Sequence, residues 1–210
     1  MKKFLHFLGS HPAITIILRK IAEVNFKAQK AIIKKYFLAS KNESVIDIGC
    51  GTGEFSRFFS NEQYIGIDVD EKNIQYAKKH YLKSFIVADA KQLPFGDHVF
   101  DKVLIVGVLH HLGGEECEQV VREIKRVLKN GGKALIMEDT KSDSWIIQSM
   151  QSIDQGSYIR TFDAWRQLFQ GHFDIEKEYT FKNGICFYSL FLLRHPVLES
   201  VSDGDVRTAV

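Results

Sequence analysis

Val45-Ile46-Asp47-Ile48-Gly49-Cys50-Gly51-Thr52-Gly53 is a short apolar run that ends in three glycines at alternate positions. A buried strand that runs into such glycines and then into a helix makes a sharp turn, lets the backbone approach a ligand closely, and aims helix N–H groups at it. A nucleotide-like ligand is implied. The dinucleotide fingerprint is G-x-G-x-x-G, whereas here the third glycine, Gly53, arrives one residue early and is followed by Glu54, a carboxylate expected to repel a pyrophosphate. Asp47, near the strand's end, would suit a ligand ammonium better than a polyphosphate. The stretch therefore predicts a zwitterionic ligand.

Outward from this turn, short apolar runs alternate with helical periods, the pattern of βαβ units and a parallel sheet. The runs are Ser44 to Ile48, Tyr64 to Asp68, Phe85 to Ala88, Lys102 to Val106 and Lys133 to Met137. The clearest helix spans Glu115 to Leu128, where Val120, Val121, Ile124, Val127 and Leu128 form one stripe that Gly131 and Gly132 are expected to terminate. Further on, Trp145 to Ile153 reads as a short helix, Gly156 to Arg160 as a connector, and Phe162 to Phe169 as a helix with Thr161 as N-cap. Ile175 to Phe181 and Cys186 to Leu193 flank Lys182-Asn183-Gly184, a tight-hairpin signal that ends the sheet antiparallel. The expected organisation is a basic helical segment over residues 1–42, one α/β domain over 43–198 and a frayed tail over 199–210.

Two further acids fall at strand ends. Asp68 lies twenty-one residues after Asp47 and closes Tyr64-Ile65-Gly66-Ile67-Asp68, where a carboxylate accepts both hydroxyls of a ribose. It is equally placed to cap the helix that begins near Glu71. Asp89, in Val87-Ala88-Asp89-Ala90, would accept from an exocyclic amine such as adenine's, or stand as a solvated loop acid. The three acids would ring one crevice.

With these motifs in order, the chain resembles the class I S-adenosylmethionine-dependent methyltransferases, particularly their small-molecule branch with the quinone-biosynthesis enzymes. Val45 to Gly53 is similar to the family's glycine motif and Gly66-Ile67-Asp68 to its ribose-binding segment. Ala88-Asp89-Ala90 with Leu93-Pro94-Phe95 matches its adenine side, Phe100 to Val103 with Leu109-His110-His111-Leu112 its fourth strand and loop, and Val127 to Gly132 the turn before strand five. The resemblance implies a Rossmann-like doubly wound sheet of seven strands, order 3-2-1-4-5-7-6 with strand 7 antiparallel. It also implies S-adenosyl-L-methionine as cofactor, held by Asp47, Gly49, Gly51, Gly53, Asp68, Asp89 and Ala90. An N-terminal helix often covers the acceptor pocket in this family.

Strand four ends in Val106-Gly107-Val108, without the aspartate of catechol-type metal-dependent relatives, and no Asn/Asp-Pro-Pro-Tyr/Phe stretch of the adenine- or glutamine-methylating enzymes follows it. The expectation is metal-independent transfer to oxygen, carbon or nitrogen of a small or lipid-like acceptor. His110 and His111, on the rim after strand four, are the candidate bases, against a reading in which they only pack. Tyr158 and Arg160 are the candidate substrate residues, with an arginine fork suited to an anionic acceptor. Cys50 is a small filler in a crowded turn. A silent cofactor-binding module and a nicotinamide dehydrogenase are the competing classes.

A chain of 210 residues with 45% hydrophobic and 26% charged content has ordinary globular composition, which excludes disorder and collagen-like architecture. Cys50, Cys117 and Cys186 form no CxxC pair, so a zinc knuckle or dithiol site is excluded and a reducing compartment fits. Net charge is only +2, yet the first 36 residues hold eight Lys/Arg against Glu23 alone, +7, which leaves −5 for the rest. No nucleic-acid partner is expected from so small a total. Ile14, Ile17, Leu18, Ile21, Val24, Ala28, Ala31 and Ile32 predict one amphipathic helix, with Lys20, Lys27 and Lys34 on its other face, a form suited to solvent or to anionic lipid headgroups. Lys2 and Lys3 before Phe4, Leu5, Phe7 and Leu8 imitate a signal segment, but His6, Ser10, His11 and Pro12 interrupt it. The expected location is cytoplasmic, with a solvated outer face as the first reading of that helix and peripheral membrane contact as the alternative.

Overall fold

The computed structural model describes residues 12–142 and 158–197. The expected helix at Trp145–Ile153, most of the connector before Tyr158, and the tail over 199–210 lie outside the described residues. The described chain forms helix α1 (Pro12–Ala22), helix α2 (Lys27–Tyr36), strand β1 (Val45–Ile48), β2 (Tyr64–Asp68), α3 (Glu71–His80), β3 (Ser84–Val87) and β4 (Phe100–Val106). There follow α4 (Gly114–Val127), β5 (Leu128–Asp139), α5 (Phe162–Gln170), β6 (Asp174–Asn183) and β7 (Cys186–Arg194). The seven strands form one sheet in the order β3-β2-β1-β4-β5-β7-β6. β1 to β5 pair in parallel, and β7 runs antiparallel to both β5 and β6.

Period-two alternation along the central strands divides the core between the two faces. Ile46, Ile48, Val103, Ile105, Ala134 and Ile136 pack on the side of α4 and α5. Val45, Leu104, Val106, Leu135 and Met137 pack on the other, with Ile32, Ile33 and Phe37 from the N-terminal region and Ile74 and Ala77 from α3. In α4 the stripe Cys117, Val120, Val121, Ile124 and Val127 is buried, each aliphatic member contributing about 1.5–3 kcal/mol in transfer terms. Thr161 caps α5 as expected, its Oγ1 accepting from Ala164 N–H at 3.2 Å.

Four local expectations are corrected. Gly131 and Gly132 do not stop α4, which ends at Val127; Leu128 is already extended and begins β5, and the two glycines lie in a register shift of that strand. A Cβ on Gly132 would sit 2.8 Å from the Lys129 carbonyl oxygen, so the shift itself requires glycine. The glycine loop leads not into a regular helix but into one 3₁₀ turn, Ser56–Phe58. Glu54, expected to face the ligand, turns back instead to Lys20 and Lys30, each 2.8 Å away.

The N-terminal segment is not one helix. It breaks at Val24, Asn25 and Phe26, all with positive φ (45°, 55° and 56°), a conformation costly for a β-branched valine. The hairpin between β6 and β7 holds the break. Asn183 Nδ2 donates to the Glu23 carbonyl at 2.6 Å, Ile185 N–H donates to the Ala22 carbonyl at 3.1 Å, and Phe26 is buried against Phe55. The apolar period reads smoothly through the break, because a local pattern carries no trace of a clamp from 160 residues away.

Candidate functional site

The parallel strands deliver their carboxyl ends to one edge, where a topological crevice opens at β1 and β4. Gly49, directly after β1, has φ +69°, and a Cβ there would stand 2.4 Å from a Val108 methyl. Gly51, at φ +53°, has open space where its Cβ would project, which is the room a ligand needs to lie on the backbone. Gly53 closes the loop, its N–H bonding the Cys50 carbonyl at 2.9 Å.

Asp68 projects from the end of β2 toward this loop. Its Oδ2 accepts from Gly51 N–H at 2.8 Å, and its Oδ1 accepts from Asp70 N–H at 2.8 Å. Asp70, not Asp68, is the N-cap of α3, accepting from Lys72 N–H at 2.9 Å. Capping therefore accounts for Asp70 and leaves Asp68 at the crevice. Asp89 is half-exposed at the turn after β3, where it accepts from Lys91 N–H at 2.9 Å; Ala90 follows, packed against the core.

Asp47 lies deeper than its neighbours. It is buried beneath the loop, and Tyr64 Oη donates to its Oδ2 at 2.7 Å. Burial, reinforced by the nearby Asp68 charge, pushes its carboxyl up to about 7 despite the tyrosine. The Cys50 thiol is likewise pushed well up by burial and by these two acids, which leaves it unreactive filler.

A second centre forms where β4 and β5 end. Glu138 is buried and gathers the turn after β4: Val108 and Leu109 N–H donate to its Oε1 at 2.9 Å, and His110 N–H donates to its Oε2 at 3.3 Å. His110 Nδ1 also donates to Oε2 at 2.9 Å, which fixes the ring and leaves Nε2 on the side of Asp139, 3.8 Å from its Oδ2. His110 is buried, whereas His111 is exposed and lies against the His110 ring with centroids 4.1 Å apart. Tyr158 N–H bonds the His110 carbonyl at 3.0 Å.

Arg160 is engaged by the same turn. Its guanidinium donates to the carbonyls of Leu109, Tyr158 and Leu112 at 3.0–3.2 Å and lies over the Trp165 ring. These bonds tie the turn to α5.

Two residues absent from the sequence expectation, Glu138 and Arg19, complete the centre with Asp139, where the segment expected to line the acceptor pocket begins. Acids at the end of a fifth parallel strand were a readable signal, since ligands collect at such ends. Arg19 had none. It reaches from α1 to Gly107, where a Cβ would lie 3.4 Å from Arg19 Nη2 and 3.7 Å from His110 Cε1. Its Nε donates to Glu23 at 2.9 Å, and Glu23 is itself buried and fixed by Gln29 and Tyr188. Arg19 and His110 therefore converge on the side of Gly107 where a Cβ would project.

Fold and crevice together define a Rossmann-like α/β protein whose ligand edge lies at the carboxyl ends of its parallel strands. Residues 46–136, just under half of the chain, match the family model described as "Methyltransferase domain". An uncharacterised protein of Methanocaldococcus jannaschii is 34% identical over 114 residues, 54% of this chain and 52% of that protein. A tRNA (carboxymethyluridine(34)-5-O)-methyltransferase of Xenopus tropicalis is 30% identical over 127 residues, 59% of this chain and 19% of that protein. The chain thus spans about half of one relative and a fifth of the other. The PH0226 protein of Pyrococcus horikoshii shares the fold, with TM-score 0.67 and 23% identity over 84% of this chain and 95% of that one.

Proposed function

We propose that the chain transfers a methyl group from S-adenosylmethionine to a small or lipid-like acceptor, without a metal, and that the methylated atom is an anionic or ionisable oxygen. The observation that carries the reading is the convergence of Arg19 and His110 at Gly107, beside the crevice formed by Gly51 and Asp68. The cofactor fits that crevice: open space stands over Gly51, and a carboxylate stands at the end of β2. Asp68 is suited to its ribose, Asp89 and Ala90 to its adenine, and Asp47, beneath Gly49, Gly51 and Gly53, to the charge of its amino acid end. S-adenosylmethionine, when bound, supplies an electrophilic methyl. The chain's task is then alignment and exclusion of water.

In this reading Arg19 orients the acceptor anion with its outer nitrogens while Glu23 keeps the guanidinium in place. His110, locked by Glu138, holds a proton at Nε2 or takes one there from an acceptor hydroxyl, while His111 lies exposed against the His110 ring and is given no proton-transfer role. Tyr158 and Arg160 shape the acceptor side by fixing the turn, not through a fork on the acceptor. The Xenopus relative's name specifies an oxygen acceptor within tRNA, which supports oxygen transfer and makes tRNA the second acceptor class to assay. The chain's three thiols, two of them buried, suit a reducing cytoplasm.

The test incubates the chain with cofactor labelled in the methyl group and a panel of phenols, carboxylic acids, quinols, phospholipids and tRNA. Label in an anionic small or lipid acceptor is expected, with Arg19→Gln raising KM for it about tenfold and leaving S-adenosylhomocysteine affinity unchanged. Label only in tRNA would replace the acceptor class. Cofactor binding with no labelled product would identify a silent binding module.

A further inference from the structure

Among the described residues, nothing covers the outer face of the N-terminal helices. Ile17, Leu18, Ile21 and Val24 are 57%, 52%, 73% and 53% exposed, although α1 also buries Ile16. A surface depression of about 350 Å³ adjoins Val24 and is lined by Val24, Asn25, Lys27, Lys30, Ala31 and Lys34. Its lysines recur at spacings of three and four along α2, so they share one face. Between residues 12 and 42 the only acid is Glu23, which is buried and bonded to Arg19, Gln29 and Tyr188. Lys30 is offset by the buried Glu54, but among the described residues no ion pair engages Lys27 or Lys34. The left-handed break keeps Val24 outward beside this basic depression, and the hairpin clamp sustains the strain.

We infer that this face docks on an anionic bilayer, with the α1 side chains entering the acyl boundary and an anionic headgroup seated between Lys27 and Lys34. Charge alone would serve RNA as well. The four exposed aliphatic side chains decide for lipid, because a phosphate backbone offers them no apolar partner whereas a bilayer interface does. The same helix aims Arg19 inward, so docking would bring the mouth of the crevice to the membrane. The inference stands on α1 and α2 and not on catalysis.

Flotation of the full chain with vesicles tests it. Binding is expected to phosphatidylcholine vesicles doped with phosphatidylglycerol, lost in high salt, and absent with phosphatidylcholine alone. Ile17→Ser with Ile21→Ser, and separately Lys27→Glu with Lys34→Glu, should each weaken binding at least about tenfold. Because these side chains are exposed, the melting temperature and S-adenosylhomocysteine affinity should not move. No flotation with the anionic vesicles overturns the inference. So does lysine-dependent RNA binding without vesicle binding, or a concentration-dependent dimer abolished by the serine pair while vesicles stay bare.

Discussion

Asp47 makes a measurable pH signature. Its buried carboxyl is raised to about 7, against an ordinary aspartate near 3.9, so between those values the folded chain binds a proton that the unfolded chain lacks. A raised acid stabilises the fold relatively at low pH, and that advantage is lost as pH climbs from about 4 through 7. Three pH units at about 1.4 kcal/mol each give an upper bound of about 4 kcal/mol for the ligand-free chain. Asp47→Asn keeps an acceptor for Tyr64 Oη and removes the titration, so its stability should vary less between pH 5 and 8. A cation in the crevice reverses the preference, since ionised Asp47 then has a counter-charge. S-adenosylhomocysteine affinity should therefore rise with pH toward 7, by at most about tenfold per unit, and Asp47→Asn should flatten the rise. Urea unfolding and titration calorimetry over the same buffers measure both slopes. Identical slopes in wild type and variant would refute the argument and pass the dependence to another group.

Other outcomes follow from single contacts. Glu138→Ala leaves three backbone N–H groups and His110 Nδ1 without their buried acceptor, and should cost about 3–5 kcal/mol in urea unfolding; Glu138→Gln should recover part of it. Gly184→Ala places a Cβ 2.0 Å from the Ala22 carbonyl oxygen at φ +62°, which should cost about 1–3 kcal/mol and speed proteolysis within α1. His110→Ala should lower methyl transfer while His111→Ala spares it, with cofactor affinity intact in both; equal full activity would retire His110 as a proton carrier.

The sheet was legible because a buried parallel strand announces itself within five residues, as Val45–Ile48 and Tyr64–Asp68 do, and because Gly184 signals the closing hairpin, although the turn is Gly184-Ile185 and Asn183 still belongs to β6, paired with Cys186. Its full order came from resemblance and not from periodicity. The position of Asp68 at a strand end, beside Gly51, was legible for the same local reason. What escaped was long-range. Glu54 reads as a ligand-facing acid until Lys20 and Lys30 draw it away, and α1 with α2 reads as one helix until Asn183 breaks it. Arg19 carries no motif at all, since its position depends on Glu23 and on the hairpin that holds Glu23 in place.

Titration calorimetry of S-adenosylhomocysteine into the wild-type chain and Asp68→Ala reaches the claim on which the functional reading rests, that the crevice at Gly51 and Asp68 holds the cofactor. One molecule should bind per chain, and the substitution should weaken binding by about 1.5–3 kcal/mol while the fold stays intact. A folded wild-type chain that gives no binding heat and no thermal shift, or a variant of undiminished affinity, would contradict it.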